Sequence, residues 1–284
     1  MQESILVNRN SRYLKLAVAV VVVAIVAYVV DSPVGEPNGG TWLGYTLGTI
    51  GALLILWLMW FGIRKRRYGP GNVQLEAWLS AHIYLGLALV IVATLHTGFQ
   101  FGINVHTLAY TLMMLVILSG VFGLYSYMRY PREMTENRRG VSLKEMMQQI
   151  ADLDRECSDV AMDLSDEINE IVHSSRENTR LGGGLLRQLS GHDPNCATTA
   201  ALNRVQQLAT KIGGAEDADA SPDDRMHLRR LIVRLNRKVE LLDRARKDIR
   251  FQALMRVWLL FHIPISFALF AALLAHVVSV FFYW

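Results

Sequence analysis

The apolar residues of this chain are collected in five long blocks rather than spread evenly. The blocks cover residues 16–30, 42–63, 75–97, 107–128 and 257–284. Each approaches or exceeds the roughly 17–25 residues that a helix needs to cross the hydrocarbon core of a bilayer. Hydrophobicity that is continuous along a block, with no polar face, is typical of a helix surrounded by lipid. The pattern therefore predicts an all-α, polytopic membrane helix bundle of five spans.

A polar stretch, residues 131–251, separates the fourth span from the fifth and has helical periodicity. Residues 143–171 repeat apolar side chains every three or four positions among many acidic ones, and Ser142 with Glu145 forms a capping box at their start. Residues 222–251 repeat the same spacing among many Arg and Lys. Two helices of similar length and opposite charge predict an antiparallel hairpin. The chain is thus expected to divide into residues 1–130, the insert 131–251, and a fifth span in 252–284.

The distribution of charge predicts the orientation of the spans. The formal net charge is only +4, but the basic residues alternate between loops. They occur in the N-terminal segment, in residues 64–67 and throughout 129–256, whereas residues 31–41 and 98–106 contain no Lys or Arg. Because Lys and Arg accumulate on the cytoplasmic side, we expect a cytoplasmic N-terminus and an outer C-terminus in a bacterial inner membrane. A signal peptide is the competing interpretation of the first block, but no small-x-small cleavage site follows it, which favours an uncleaved anchor.

Two of the spans carry pairs of histidines at the same separation. His82 and His96 lie in the third span, and His262 and His276 lie in the fifth. Fourteen helical residues turn through about 1400°, close to four full turns, and rise about 21 Å. Each span therefore presents two imidazoles on one face, at two depths. Ionisable residues within a membrane usually indicate function. Since both spans are expected to run in the same direction, the expected pairs are His82 with His262 and His96 with His276.

Histidine pairs of this kind are better suited to haem than to zinc. A structural zinc site usually needs four protein ligands, and no Cys, Asp or Glu lies between the histidines of either span. Haem iron needs only two axial ligands, and two imidazoles favour electron transfer over oxygen binding. Gly86, one turn after His82, would let a flat macrocycle approach the helix, and Pro264 could bend the fifth span around it. The alternative, that each histidine only hydrogen-bonds a neighbouring helix, explains one histidine more easily than four in matched pairs.

The two His-x13-His helices resemble those of the b-type dihaem cytochromes, and most closely the ferric reductase and NADPH oxidase transmembrane domain. The resemblance implies that His82, His96, His262 and His276 bind two non-covalent haem b groups and that the protein carries electrons across the membrane. It covers a little over half of the chain. The flavin- and nicotinamide-binding domain of that family is missing here, and the insert is additional. The electrons are therefore expected to come from a partner or from a quinol.

Several further residues are weaker candidates for this site. His106 begins the fourth span, where capping or interfacial placement is favoured over contact with haem or quinone. Arg67 and Arg129, together with Arg64, Arg66 and Arg256, lie where they could pair with haem propionates, although anchoring at the membrane surface is the default interpretation. His192 and Cys196 could bind a metal only with further ligands that the sequence does not provide.

The main hypothesis is a cytochrome b that relays electrons between a cytoplasmic-side and an outer-side redox partner. The helical insert would dock a cytoplasmic redox protein or sister subunits, or would only stiffen the linker. Membrane lipid is an expected partner and nucleic acid is not. Two alternatives stay open: a quinol-oxidising or quinone-reducing subunit of an oxidoreductase complex, and a membrane anchor or receptor with a signalling hairpin.

Overall fold

The computed structural model describes residues 8–33, 35–65, 73–213 and 222–282, and within these ranges it contains nine helices and no strand. They are α1 (Asn8–Val30), α2 (Trp42–Lys65), α3 (Val73–Thr97), α4 (Val105–Arg138), α5 (Leu143–Met162), α6 (Asp166–Asn178), α7 (Leu185–Ser190), α8 (Ala197–Gly213) and α9 (Pro222–Phe282). Five helices, α1 to α4 and α9, are long and apolar enough to cross a membrane. The prediction of an all-α membrane bundle is therefore confirmed, and the chain is an integral membrane protein.

The chain divides into two compact units. The membrane unit comprises Met1–Tyr125 and Trp258–Trp284, and the polar unit comprises Ser126–Val257. Two helices belong to both units, because α4 and α9 each continue from one into the other. The basic segment at the start of α9 thus runs without a break into the fifth span, as expected. Helix α4 is longer than predicted and includes Pro131.

Helix α3 lies at the centre of the membrane unit. Its buried face includes Ala81, Ala88, Leu89 and Val92, of which Val92 is completely inaccessible. Leu89 belongs to an apolar cluster with side chains from α2, α4 and α9, while Ala88 and Val92 pack against α1. Small residues allow membrane helices to approach closely. Large apolar side chains remain exposed on the outside of the unit, where lipid is the natural solvent. Helix α3 therefore holds its histidines within a ring of neighbouring helices.

The polar unit contains the expected antiparallel pair of oppositely charged helices, α5 and the start of α9. Helix α5 begins at the predicted capping box, in which the Ser142 hydroxyl accepts from the Glu145 amide and the Glu145 carboxylate accepts from the Ser142 amide. The ion pairs with α9 follow an antiparallel order, because Glu156 meets Arg234 and Asp154 meets Lys238. Ion pairs between opposite charges thus join the two helices.

The acidic segment is not one long helix, and in this respect the prediction for residues 143–171 is wrong. Helix α5 ends at Met162, and α6 starts after Ser165, whose backbone is extended. After the break, Ile168 and Val172 of α6 are buried in an apolar cluster that also includes Leu202 and Val205 of α8. The insert is therefore a packed group of helices: α5, α6, α8 and the start of α9. Burial of α6 against α8 is the physical reason for the break.

A buried cation lies in the middle of this group. The side chain of Lys238 is 1% exposed and forms an ion pair with Asp154, whose side chain is 19% exposed. The Lys238 ammonium also donates to the Ser175 hydroxyl at 3.1 Å and lies 3.4 Å from the Ser175 carbonyl oxygen. The Ser175 hydroxyl in turn donates to Thr198, which is also hydrogen-bonded to Thr179. The charge is thus compensated by a connected set of polar groups.

Replacing Asp154 by alanine should destabilise the protein more than replacing Lys238 by methionine. Asp154→Ala leaves the buried ammonium without its counter-charge, at a cost of about 3–5 kcal/mol, whereas Lys238→Met removes the buried charge and keeps most of the volume. Urea unfolding of the detergent-solubilised protein, followed by circular dichroism, measures the difference. Equal destabilisation by the two substitutions would contradict this account of the buried pair.

Candidate functional site

The structure brings the four membrane histidines together in two pairs between α3 and α9. The ring centroids of His96 and His276 are 6.0 Å apart, and their planes are nearly perpendicular, at 86°. His82 lies in the neighbourhood of His262. Because the earlier histidine of α3 meets the earlier histidine of α9, the two helices run in the same direction. All four rings are partly buried.

The ring of His96 is held by the start of α2. Its Nδ1 lies 2.8 Å from the carbonyl oxygen of Gly44. A carbonyl can only accept, so Nδ1 carries the hydrogen and the lone pair of the neutral ring is on Nε2. Gly48 packs against the ring so closely that a Cβ there would lie 2.6 Å from His96 Cε1. The tautomer and the position of His96 are therefore both fixed by helix α2.

The ring of His262 is held in a similar way by α4. Its Nδ1 lies 2.6 Å from the hydroxyl oxygen of Ser119, which itself donates to the carbonyl oxygen of Val116 at 2.8 Å. Since the hydroxyl hydrogen is used for Val116, Nδ1 of His262 is the donor in the other bond, and Nε2 again has the lone pair. The indole of Trp258 stacks obliquely on this ring at 5.4 Å and donates to the Ser119 carbonyl oxygen at 2.8 Å.

His82 differs from the other three histidines. Its ring is hydrogen-bonded to the backbone of Leu58, but its Nδ1 is buried and has no hydrogen-bond partner among the described residues. The ring of Phe61 lies against it, with the centroids 4.9 Å apart. One turn later on the same helix, a Cβ added to Gly86 would meet no atom of the described part of the chain within 4 Å. His82 thus combines an uncommitted nitrogen with open space one turn further along α3.

A third histidine, His106, contacts the His96–His276 pair. Its ring centroid is 4.4 Å from that of His276, with the planes at 89°, and the two Nδ1 atoms are hydrogen-bonded to each other. Of the two favoured interpretations of His106, capping or interfacial placement, the first is not seen, because Asn104 caps the helix: its side-chain oxygen accepts from the Thr107 amide at 2.9 Å. His106 is exposed at the start of α4 and forms part of the candidate site.

Sequence reasoning missed the residues that hold the imidazoles. Gly44 and Gly48 lie four residues apart in α2, a spacing of small residues that is typical of close helix contacts in membranes, and this signal could have indicated them. Ser119 is a polar residue inside a span, which is a weaker signal of the same kind. The contact between Trp258 and His262 has no signal beyond their four-residue spacing on one helix.

Among the described residues, the structure gives no contact that tests whether the candidate arginines pair with haem propionates. Arg67 and Arg66 lie outside the described residues, and the side chain of Arg64 does as well. Arg129 belongs to the polar unit, where it forms an ion pair with Glu133 one turn later in α4. Arg256, also in the polar unit, is exposed. Their pairing with propionates therefore stays a prediction.

The two cysteines of the polar unit have different environments. Burial raises the pKa of the Cys157 thiol to about 11. Burial also opposes ionisation of Cys196, but hydrogen bonds from Arg246 and Thr199 outweigh it and lower the pKa of that thiol; the Arg246 guanidinium lies 3.2 Å from its Sγ. His192 does not complete a metal site with Cys196, since no three of the described His, Cys, Asp or Glu residues are grouped to hold a metal ion.

Comparison of the chain with protein-family models, with curated proteins and with solved structures finds no match. The arguments about function therefore depend on the arrangement of the residues themselves.

Replacing Gly48 by alanine should displace His96 and destabilise the membrane unit. The added methyl group would overlap the imidazole, and overpacking of this kind costs about 1–3 kcal/mol. Gly51→Ala is a matched control in the same helix, because its Cβ would meet only Leu89 Cδ1 at an ordinary 3.7 Å. Thermal unfolding in detergent, followed by circular dichroism, should show a lower midpoint for Gly48→Ala alone. Equal midpoints for the two variants would contradict the close packing of α2 on His96.

Alkylation should distinguish the two cysteines. Both thiols are almost inaccessible, at 1% and 3% exposure, so access is matched and the thiolate fraction decides the rate. With a pKa of about 11, Cys157 stays a thiol at pH 8 and becomes reactive only as the pH rises towards 11. Cys196 should therefore react first with iodoacetamide at pH 8, as mass spectrometry of the labelled peptides can measure. Faster labelling of Cys157 at that pH would contradict the assignment.

Proposed function

We propose that this chain is a membrane cytochrome b that binds two haem b groups and relays single electrons across the membrane. In this proposal His82 and His262 are the axial ligands of one haem, and His96 and His276 are those of the other. The observation that supports it most strongly is the pairing of the four imidazoles between two parallel helices, at two levels about 21 Å apart along the helix axis.

The donor chemistry of the site fits two-ligand binding. His96 and His262 each have Nδ1 committed to a neighbouring oxygen, which leaves the Nε2 lone pair available. Metal-binding histidines typically use one nitrogen for the metal and the other for such an orienting hydrogen bond. His82 has an uncommitted buried nitrogen of its own. An unsatisfied buried polar group costs free energy, so this nitrogen is itself an indication that His82 takes a ligand.

The shape of the site fits a flat cofactor. The open space beside Gly86 would accommodate the edge of a macrocycle next to His82. Apolar side chains of α2, α3, α4 and α9 pack together between the two levels of histidines, for example Leu89 with Leu269 and Leu273, and would exclude water. Haem supplies a one-electron iron couple and the four equatorial nitrogens. The protein's part is to fix the spacing, the tautomers and the surroundings of the four imidazoles.

The orientation and the partners are part of the same proposal. The basic loops would place the N-terminus and the polar unit in the cytoplasm of a bacterial cell, with the His96–His276 pair near the outer surface. Charged side chains on α5, α6 and α9 remain exposed on the polar unit, among them Glu156, Glu167 and Arg237. We propose that this surface docks a cytoplasmic redox protein or a sister subunit, and that the outer pair exchanges electrons with a second partner.

A reduced-minus-oxidised absorption spectrum of the purified chain tests the proposal. We expect b-type bands and two haems per chain. Alanine at His82 or His262 should remove one haem, and alanine at His96 or His276 should remove the other, because two axial imidazoles hold each iron. His173→Ala is the control, since His173 is an exposed residue of the polar unit. Absence of b-type bands, or haem retained after all four replacements, would refute the proposal.

A further inference from the structure

We propose that His106 is a positioning residue: it accepts a hydrogen bond from Nδ1–H of His276, holds that ring as a ligand, and lowers the reduction potential of the His96–His276 centre. This inference rests on the proposed function. It adds a fifth histidine to the site and makes the two centres unequal.

The contact between the two rings determines their tautomers. The Nδ1 atoms of His106 and His276 are hydrogen-bonded to each other, so one of them donates and the other accepts. If His276 binds iron through Nε2, its hydrogen must be on Nδ1 in the neutral ring. His276 is then the donor, and His106 accepts through Nδ1 while its own hydrogen is on Nε2. No other arrangement of two neutral rings leaves the Nε2 lone pair of His276 available.

A hydrogen bond accepted from a ligating histidine changes the metal. It makes the imidazole more basic and fixes its orientation. A more basic ligand stabilises the oxidised iron, so the potential of that centre falls; hydrogen bonding around the ligands is one of the protein's means of setting haem potentials. In this centre both ligands have strong acceptors, because His96 donates to the carbonyl oxygen of Gly44 and His276 donates to an imidazole nitrogen.

One ligand of the other pair has a weaker acceptor. Nδ1 of His262 faces the hydroxyl of Ser119, and an imidazole nitrogen is a far stronger base than a hydroxyl oxygen. The His82 ring is hydrogen-bonded to the backbone of Leu58, much as His96 is to that of Gly44, so the two centres differ in the acceptors of His276 and His262. The ligands of the His82–His262 centre should therefore be less basic, and its potential should be the higher one. Electrons would then move downhill from the His96–His276 centre to the His82–His262 centre.

A redox titration of the purified full-length chain, followed by its absorption spectrum, tests this inference. The wild type should show two one-electron components, and the lower one should be absent from His276→Ala. In His106→Ala the reduction equilibrium of the lower component should shift about tenfold towards the reduced form. This raises its potential by about 59 mV for one electron. His106→Gln should stay close to the wild type, because its side-chain oxygen can still accept from His276. Ser119→Ala is the matched control and should move the higher component alone.

Electron paramagnetic resonance of the oxidised protein gives a second readout. The largest g value of the ferric His96–His276 centre should change in His106→Ala and stay unchanged in Ser119→Ala. Loss of one haem from His106→Ala, with both haems kept in His106→Gln, would equally support the positioning role. Four results would overturn the positioning role of His106. These are unchanged potentials of both components in His106→Ala, equal shifts of both components in that variant, equal shifts in the alanine and glutamine variants, and loss of both haems from each variant. Absence of haem from the wild type would instead overturn the proposed function.

Discussion

An imidazole inside a membrane must place its N–H somewhere, and the candidate site of this protein depends on where those hydrogens go. A neutral ring has one donor and one acceptor nitrogen, and lipid satisfies neither. The chain directs the donor of His96 to a helix carbonyl, that of His262 to a serine hydroxyl, and pairs His276 with another histidine. Each bond decides which nitrogen stays available, so the helices around α3 and α9 determine the chemistry of rings that they do not themselves carry.

The membrane spans and the spacing of the histidines could be predicted from the sequence because both follow from simple periodicities. Apolar blocks long enough to cross a bilayer indicate helices, and a separation of fourteen residues places His82 and His96 on one face. The partners of the imidazoles could not be predicted in the same way. They come from α2 and α4, and which residue of a neighbouring helix faces a given ring depends on the rotation and the height of both helices.

In the polar unit, the sequence pattern also failed to predict where helix α5 ends. The apolar positions continue with helical spacing through Asp163 and Ser165, so periodicity alone favours one helix. The structure ends α5 at Met162 because Ile168 and Val172 are buried against α8, with residues thirty or more positions away in the chain. Local signals were sufficient where the determinant was local, as at the Ser142–Glu145 capping box. They failed at the end of α5, where packing of α6 against α8 determines the course of the chain.

The ammonium of Lys238 has a mechanical consequence for the polar unit. A slip of α9 along α5 by one helical turn would move it about 5.4 Å, away from Asp154 and Ser175. Intermediate displacements would leave a buried charge with no compensating group, which is strongly unfavourable. The two helices therefore have a preferred register and resist gradual sliding past each other.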